Sequence, residues 1–158
     1  MIPVHIHTNH SLLQSTVKID ELINKCKAEN ITALTVTDTN SMAGFIQFAK
    51  RAREENIKPL FGSYINDRIN DELYVLLIAK NNQGYSDICR IITQRKLNDD
   101  FELKSIIQNH LENLIIITPS IELLKAADKN NSVYAELVVT DKNKKNSRTL
   151  FSYVKENG

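Results

Sequence analysis

Short apolar runs alternate with amphipathic segments along the chain, and this alternation predicts a series of strands and helices. The runs that predict strands are bounded by turn residues and cover 2–7, 33–37, 59–62, 73–79, 114–118 and 133–139. Helical spacing of apolar residues predicts helices at about 19–30 and 42–55, from 81 to a polar loop at 95–100, and at 103–107, 121–128 and 147–156. Alternating strands and helices are typical of a parallel sheet with helices outside, either a barrel or an open sheet.

The pattern favours a parallel sheet in particular because two of the predicted strands, 73–79 and 114–118, are apolar on both faces. In the last helix, Leu150, Phe151 and Val154 are expected to face the core. The pattern ends after a helix, where a further strand would be expected. We therefore expect a single domain over residues 1–158 that is truncated at its carboxyl end. The incomplete barrel is expected to leave a strand edge or an apolar groove near the last helix. An open strand edge is normally paired or covered, so we also expect self-association or partial disorder there.

Composition adds few constraints beyond one folded domain. The chain has 158 residues, of which 42% are apolar and 25% charged, and its 20 basic residues balance its 19 acidic ones. This balance gives no support for a nucleic-acid partner. Cys26 and Cys89 fall on apolar helix faces, which predicts reduced core thiols. No apolar run is long enough to span a membrane, and no leader precedes the first strand, so a cytoplasmic location is expected.

The first strand carries the candidate chemistry. Side chains alternate along a strand, so His5 and His7 are expected to project from the same face. Two imidazoles at the carboxyl end of a first strand are a common beginning of a metal site, but a metal ion needs more ligands than two. The remaining ligands would have to come from other parts of the chain.

Several segments together are more specific than the two histidines alone. They are His5-Ile6-His7-Thr8 with Ser11-Leu12-Leu13, residues 33–38, residues 57–62, and residues 76–81 with Gly84-Tyr85. In order and spacing they resemble the PHP (polymerase and histidinol phosphatase) domain that opens the α subunit of bacterial DNA polymerase III. The resemblance implies a parallel β/α barrel of the distorted (β/α)7 type, here incomplete. It also implies a cluster of metal ions at the carboxyl ends of the strands.

The departures from the family pattern fall on its metal ligands. His5 and His7 are kept, and Asp38 lies next to the position of a lost ligand. Where active members carry Asp, His, Glu, His and a Cys or His, this chain has Gln14, Thr39, Tyr64, Tyr74 and Ser120. The family's last Asp-x-His motif would lie beyond Gly158. Two imidazoles lack the carboxylates that offset the charge of divalent ions and bridge them, so a degenerate site without a cofactor is expected.

The resemblance implies a structural and interaction module in DNA replication, inactive alone and part of a DNA-directed DNA polymerase. Its implied partners are the rest of the polymerase chain and replicase subunits such as the proofreading exonuclease, with DNA contacted indirectly and no membrane. The alternative is a metal-dependent phosphoesterase of the 3′–5′ exonuclease or pyrophosphatase type. That enzyme would hold zinc, manganese or magnesium with His5 and His7, helped by Asp38, His10 or His110.

Direct DNA binding is a third hypothesis. A basic patch of Lys142, Lys144, Lys145 and Arg148 would carry it, but no aromatic residues interleave with these side chains. We therefore expect a solvated surface there.

The geometry of the remnant site can also be predicted. His5 and His7 are expected to project together into the mouth of the barrel, near Asp38, Thr39 and Tyr64. Hydrogen bonds among neutral groups and water should fill the space that metal ions would take, because buried polar groups rarely stay unpaired.

Overall fold

A single five-stranded sheet in the order β1-β2-β3-β4-β5 forms the centre of the computed structural model, which describes residues 2–109, 111–129, 131–141 and 143–157. The strands are β1 (Ala33–Val36), β2 (Lys58–Asn66), β3 (Tyr74–Ala79), β4 (Leu114–Thr118) and β5 (Ser132–Ala135). The helices are α1 (Ile19–Ala28), α2 (Phe45–Glu54), α3 (Asn82–Leu97), α4 (Leu103–Gln108), α5 (Ile121–Ala126) and α6 (Lys144–Asn157). The predicted alternation of strands and helices is therefore confirmed.

Four of the five strands run in one direction, and β3 runs against them. β1 pairs with β2 in parallel and β4 with β5 in parallel, whereas β3 is antiparallel to both of its neighbours. The prediction that 73–79 is a parallel strand is thus wrong. The connection between β2 and β3 spans residues 67–73 and contains no helix, and a parallel neighbour would need a longer crossover. Burial on both faces does not distinguish the two directions.

The predicted first strand, 2–7, is also wrong in detail, since these residues form no regular strand. They do run alongside β1, where Thr35 N donates to Pro3 O at 3.2 Å and Thr37 N donates to Ile6 O at 2.8 Å. These bonds are three residues apart on one segment and two apart on the other, as in a bulge. Pro3 has no N–H to add to a ladder. The segment nevertheless covers the outer edge of β1.

Two hydrophobic clusters hold the helices against the sheet. The first joins β1 to α1 and α2 through Ile19, Ile23, Leu34, Phe45 and Phe48. The second joins β3 and β4 to α3, α4 and α5 and includes Leu77, Ile88, Leu103, Leu114, Ile116 and Leu123. Of the two cysteines, Cys26 is buried, Cys89 is half-buried, and both are free thiols. Among the helices in the described ranges, none has the length and apolar character needed to cross a membrane.

The carboxyl-terminal part of the fold differs most from its prediction. α3 continues through residues 95–97, which were predicted as loop, and these good helix formers extend it. β5 ends at Ala135 instead of 139, and α6 begins at Lys144 instead of 147. α6 buries Leu150, but Phe151 is 57% and Val154 37% exposed, so these two residues do not face the core as predicted. Over the described residues the sheet is not closed, which confirms an incomplete β/α barrel.

Candidate functional site

The ends of several strands bring polar side chains together at one edge of the sheet. His5 and His7 lie at the end of the segment beside β1, Asp38 and Thr39 follow β1 itself, and Tyr64 lies near the end of β2. Because β3 is reversed, its first residue reaches the same edge, where Tyr74 pairs with Asn66. Glu136 comes directly after β5. These groups therefore meet where the sites of β/α barrels usually lie.

The two predicted histidines are in contact. The Nε2 atoms of His5 and His7 are 3.1 Å apart, and their ring centroids are separated by 5.1 Å. The Tyr64 ring packs against both imidazoles, 5.8 Å from His5 and 5.2 Å from His7 between centroids. The pair thus occupies the expected place, and each histidine turns its Nε2 toward the other.

Glu136 holds the first histidine and was missed by the sequence reasoning. Its Oε1 atom lies 2.6 Å from Nδ1 of His5, and its Oε2 atom accepts a hydrogen bond from the Tyr74 hydroxyl at 2.7 Å. The Glu136 side chain is 17% exposed, so the carboxylate is largely shielded from solvent. One signal could have indicated it: Glu136 is the single charged residue in the predicted strand 133–139.

Asp38 accepts hydrogen bonds from the loop that follows His7. Its carboxylate accepts hydrogen bonds from Thr8 N at 2.7 Å, Thr8 Oγ1 at 2.8 Å and Ser11 Oγ at 2.7 Å, and it is 3% exposed. Ser11 Oγ also lies 3.2 Å from Nδ1 of His7. Since the hydroxyl proton is directed to Asp38, the imidazole must donate from Nδ1. In neutral His7 this leaves the lone pair on Nε2.

Neutral groups fill much of the remaining space. Thr39 Oγ1 donates to the side-chain oxygen of Gln14 and lies 3.4 Å from Nδ1 of His7. The rings of Tyr64 and Tyr74 stack with their centroids 4.4 Å apart. Four of the positions at which the resemblance implies ligands therefore hold amide, hydroxyl and phenol groups that contact one another in pairs.

The electrostatic environment follows from burial and from Glu136. Burial lowers the pKa of His7, and the neighbouring His5 lowers it further, against the opposing effect of Asp38 and Glu136. Burial raises the pKa of Tyr64 to about 12 and also raises that of Tyr74, in both cases helped by Glu136. Burial alone would raise the pKa of Glu136, but its hydrogen bonds from His5 and Tyr74 outweigh this and lower it.

The other candidate residues that the structure describes make contacts of their own. The His10 ring packs over Gly44 at the start of α2, where a Cβ on Gly44 would meet its Cδ2 atom at 2.3 Å. Ser120 caps α5 by accepting a hydrogen bond from Leu123 N. Of the basic patch, Lys144, Lys145 and Arg148 are exposed on α6. Lys142 and His110 lie outside the described residues.

The donor set does not fit the metal cluster of the family. Glu136 and Asp38 turn their oxygens to hydrogen-bond donors, and the side-chain oxygens of Gln14 and Thr39 are neutral. Within the described ranges, no group of three or more His, Cys, Asp or Glu side chains is placed to hold a metal ion. What remains is two imidazole nitrogens, which cannot offset or bridge several divalent ions.

The fold and the site define an α/β protein on an incomplete β/α barrel, with histidines and a carboxylate at the strand ends. The family model for the PHP domain matches residues 3–154, so the chain belongs to the PHP domain family. This confirms the resemblance drawn from the motifs.

Two curated relatives are named DNA polymerase III subunit alpha. The protein from Staphylococcus aureus strain Mu50 is 32% identical over 144 residues, which cover 84% of this chain and 13% of the relative. The protein from Staphylococcus epidermidis is 36% identical over 124 residues, covering 76% of this chain and 12% of the relative. The chain therefore spans about an eighth of the length of these relatives.

A solved structure supports the fold. It is the crystal structure of a candidate metal-dependent phosphoesterase from Bifidobacterium adolescentis, with a TM-score of 0.63 and 11% sequence identity. The match covers 98% of this chain and 84% of that protein.

Proposed function

We propose that this chain is a PHP domain of a bacterial replicative DNA polymerase III α chain, in which it serves as a structural and interaction module. The carrying observation is the combination of similarity to α subunits with a site whose carboxylates are engaged in hydrogen bonds. A phosphoester hydrolase of this family would need carboxylates that bridge metal ions. Here the groups at those positions stabilise the strand ends.

The proposal includes the context of the domain. Residues 1–158 form one PHP domain that is truncated at its carboxyl end, and the parent protein is a cytoplasmic polymerase. Its partners are the rest of the polymerase chain and replicase subunits such as the proofreading exonuclease, while DNA is contacted indirectly. The relatives support this context, because the matched region makes up 13% or less of the length of the two proteins described above.

One observation favours the second candidate, a metal-dependent phosphoesterase. Histidines that bind metal commonly donate their other ring nitrogen to a carboxylate, and Glu136 is placed in this way on His5. The Nε2 atoms of His5 and His7 face each other. The phosphoesterase candidate requires that both atoms bind a single zinc or manganese ion. The Asp38 carboxylate accepts hydrogen bonds from Thr8 and Ser11, so it would not bind the ion directly.

The proposed context can be tested in the source cells with an antibody raised against this chain. Detection of the epitope in a polypeptide of polymerase size, co-eluting with DNA-synthesis activity, supports a domain of the α subunit. A stable endogenous polypeptide of about 18 kDa that elutes apart from polymerase activity would contradict it.

A further inference from the structure

A cleft of about 660 Å³ opens next to the histidine pair, and its chemistry differs from that of a phosphoester site. Tyr64, Tyr74 and Glu136 belong to its lining, together with the connection between β2 and β3 and one face of α6. The volume lies within the range of small-molecule and side-chain pockets.

The charged groups of the cleft are all acidic. Its lining contains the carboxylates of Asp71, Glu72 and Glu136 and, among the described residues, no Lys, Arg or His. The whole chain has a net charge of +1, so the negative charge is local. An anionic phosphoester would be repelled here, because like charges in a cleft raise the cost of binding.

Tyr64 and Tyr74 add a second source of attraction for a cation in the cleft. Their stacked rings, with centroids 4.4 Å apart, line the cleft beside the carboxylates, and aromatic rings attract ammonium and guanidinium groups. The negative charge of the cleft also acts on the phenol of Tyr64, whose pKa is raised by burial and then by Glu136 and Asp71. Leu73, Val138 and Leu150 add apolar surface that can contact an alkyl stem.

From the cavity, the aromatic pair and the charge together, we propose that this cleft binds an organic cation, the ammonium or guanidinium group of a basic ligand. The ligand is either a basic side chain of another polypeptide or a free amine, which share this chemistry. The carboxylates of Asp71 and Glu72 would pair with the cationic head, and the apolar residues would contact its stem. The inference concerns the cleft alone and does not depend on the chain being part of a polymerase.

The test titrates the full chain with small probes and follows backbone amide shifts by NMR. The probes are capped arginine, 1,5-diaminopentane, capped citrulline as the neutral isostere of arginine, and inorganic phosphate. We expect saturable shifts at Asn70, Tyr74 and Asn143 with the cationic probes, and at least tenfold weaker binding of citrulline and phosphate. Tighter binding of capped arginine would identify a polypeptide side chain as the source, and tighter binding of the diamine a free amine.

The matched variants separate this cleft from general electrostatics. Asp71→Asn with Glu72→Gln removes two rim charges, and Glu21→Gln with Glu29→Gln removes the same number from exposed positions on α1 and directly after it. We expect at least a tenfold loss of cation binding in the first variant and less than a twofold change in the second. Absence of saturable shifts, equal weakening in both variants, or binding of citrulline as tight as that of arginine would overturn the inference. The citrulline comparison holds even if the first variant folds poorly.

Discussion

Glu136 is the residue on which the remnant site depends most. Its carboxylate joins His5 to Tyr74 while being largely shielded from solvent. Glu136→Gln keeps the shape but places an amide NH₂ group against one of the two donors. We expect a loss of about 1–2 kcal/mol in the free energy of unfolding, measured by urea denaturation. Tyr74→Phe should cost about 1 kcal/mol and be less than additive with Glu136→Gln. Full additivity of the two substitutions would contradict the shared hydrogen bond.

Asp67 gives the clearest pH dependence of stability. Burial alone would raise its pKa, but hydrogen bonds from the backbone N–H groups of Leu103, Ile69 and Asn70 outweigh this and lower it from its ordinary value of 3.8. The unfolded chain therefore takes up the proton at higher pH than the folded one. The stabilisation is present above pH 3.8 and is lost as the pH falls through the lowered pKa.

Asp67→Asn tests this assignment. In the wild type, Leu103 N at the start of α4 donates to Asp67 Oδ2 at 2.8 Å. The substitution removes this charged acceptor and should lower the free energy of unfolding by about 1–2 kcal/mol at pH 7. In urea titrations between pH 7 and pH 3, the difference from the wild type should shrink below about pH 4. Asp99→Asn, at an exposed position, is the control and should show little change. A difference that stays constant down to pH 3 would contradict the account.

The sequence predicted that His5 and His7 project together near Asp38, Thr39 and Tyr64, but it did not predict the hydrogen-bond partners of the pair. Glu136 lies 131 residues from His5 in the chain. A contact of this kind depends on strand order, which single-sequence patterns do not contain. The role of Asp38 was missed for a related reason, since its bonds to Thr8 and Ser11 are set by the bulged path of residues 3–8.

Among the elements, α3 packs tightly at Gly84 against the residue that precedes β4. A Cβ at this position would lie 2.2 Å from the backbone oxygen of Asn113, which cannot rotate away. Gly84→Ala should therefore destabilise the protein by about 3 kcal/mol, measured by urea unfolding. Gly44→Ala is the matched control, because its Cβ meets the half-exposed His10 ring, which can turn, and should cost less than about 1 kcal/mol. Equal costs for the two substitutions would contradict this comparison.

The elements themselves were largely predictable, and the error in direction has a simple origin. Leu76, Leu77 and Ile78 make β3 apolar on both faces because it lies in the middle of the sheet. That pattern reports burial, whereas direction is decided by the short connection over residues 67–73. In α6 the apolar spacing was read correctly, but it does not show how many of these residues are covered: Leu150 is buried, whereas Phe151 and Val154 are partly exposed.

For the whole molecule, the open sheet has one covered and one uncovered edge. Residues 3–6 lie along β1, whereas β5 pairs with β4 and, within the described ranges, with no other strand. Tyr134, Leu137 and Val139 near this edge are 58%, 46% and 76% exposed. We expect weak, concentration-dependent self-association through β5, since uncovered edges tend to pair.

Sedimentation velocity over a concentration series measures this association. Leu137→Lys with Val139→Lys should reduce it, because charge on an edge opposes pairing. Ile46→Lys, which replaces an exposed apolar residue on α2, should leave it unchanged. A chain that stays monomeric at all concentrations, or an equal effect of both substitutions, would show that the β5 edge is not the contact.

The central claim is that this PHP domain keeps the position of the family's site without its metal chemistry. The most direct measurement is hydrolysis of bis(p-nitrophenyl) phosphate with added manganese or zinc, together with quantification of metal in the same purified sample. We predict substoichiometric metal, and hydrolysis no faster than that of a His5→Ala, His7→Ala variant, because the nearby carboxylates are engaged by His5, Tyr74, Thr8 and Ser11. Stoichiometric metal, with hydrolysis that disappears in the double variant, would contradict the claim and establish the phosphoesterase alternative.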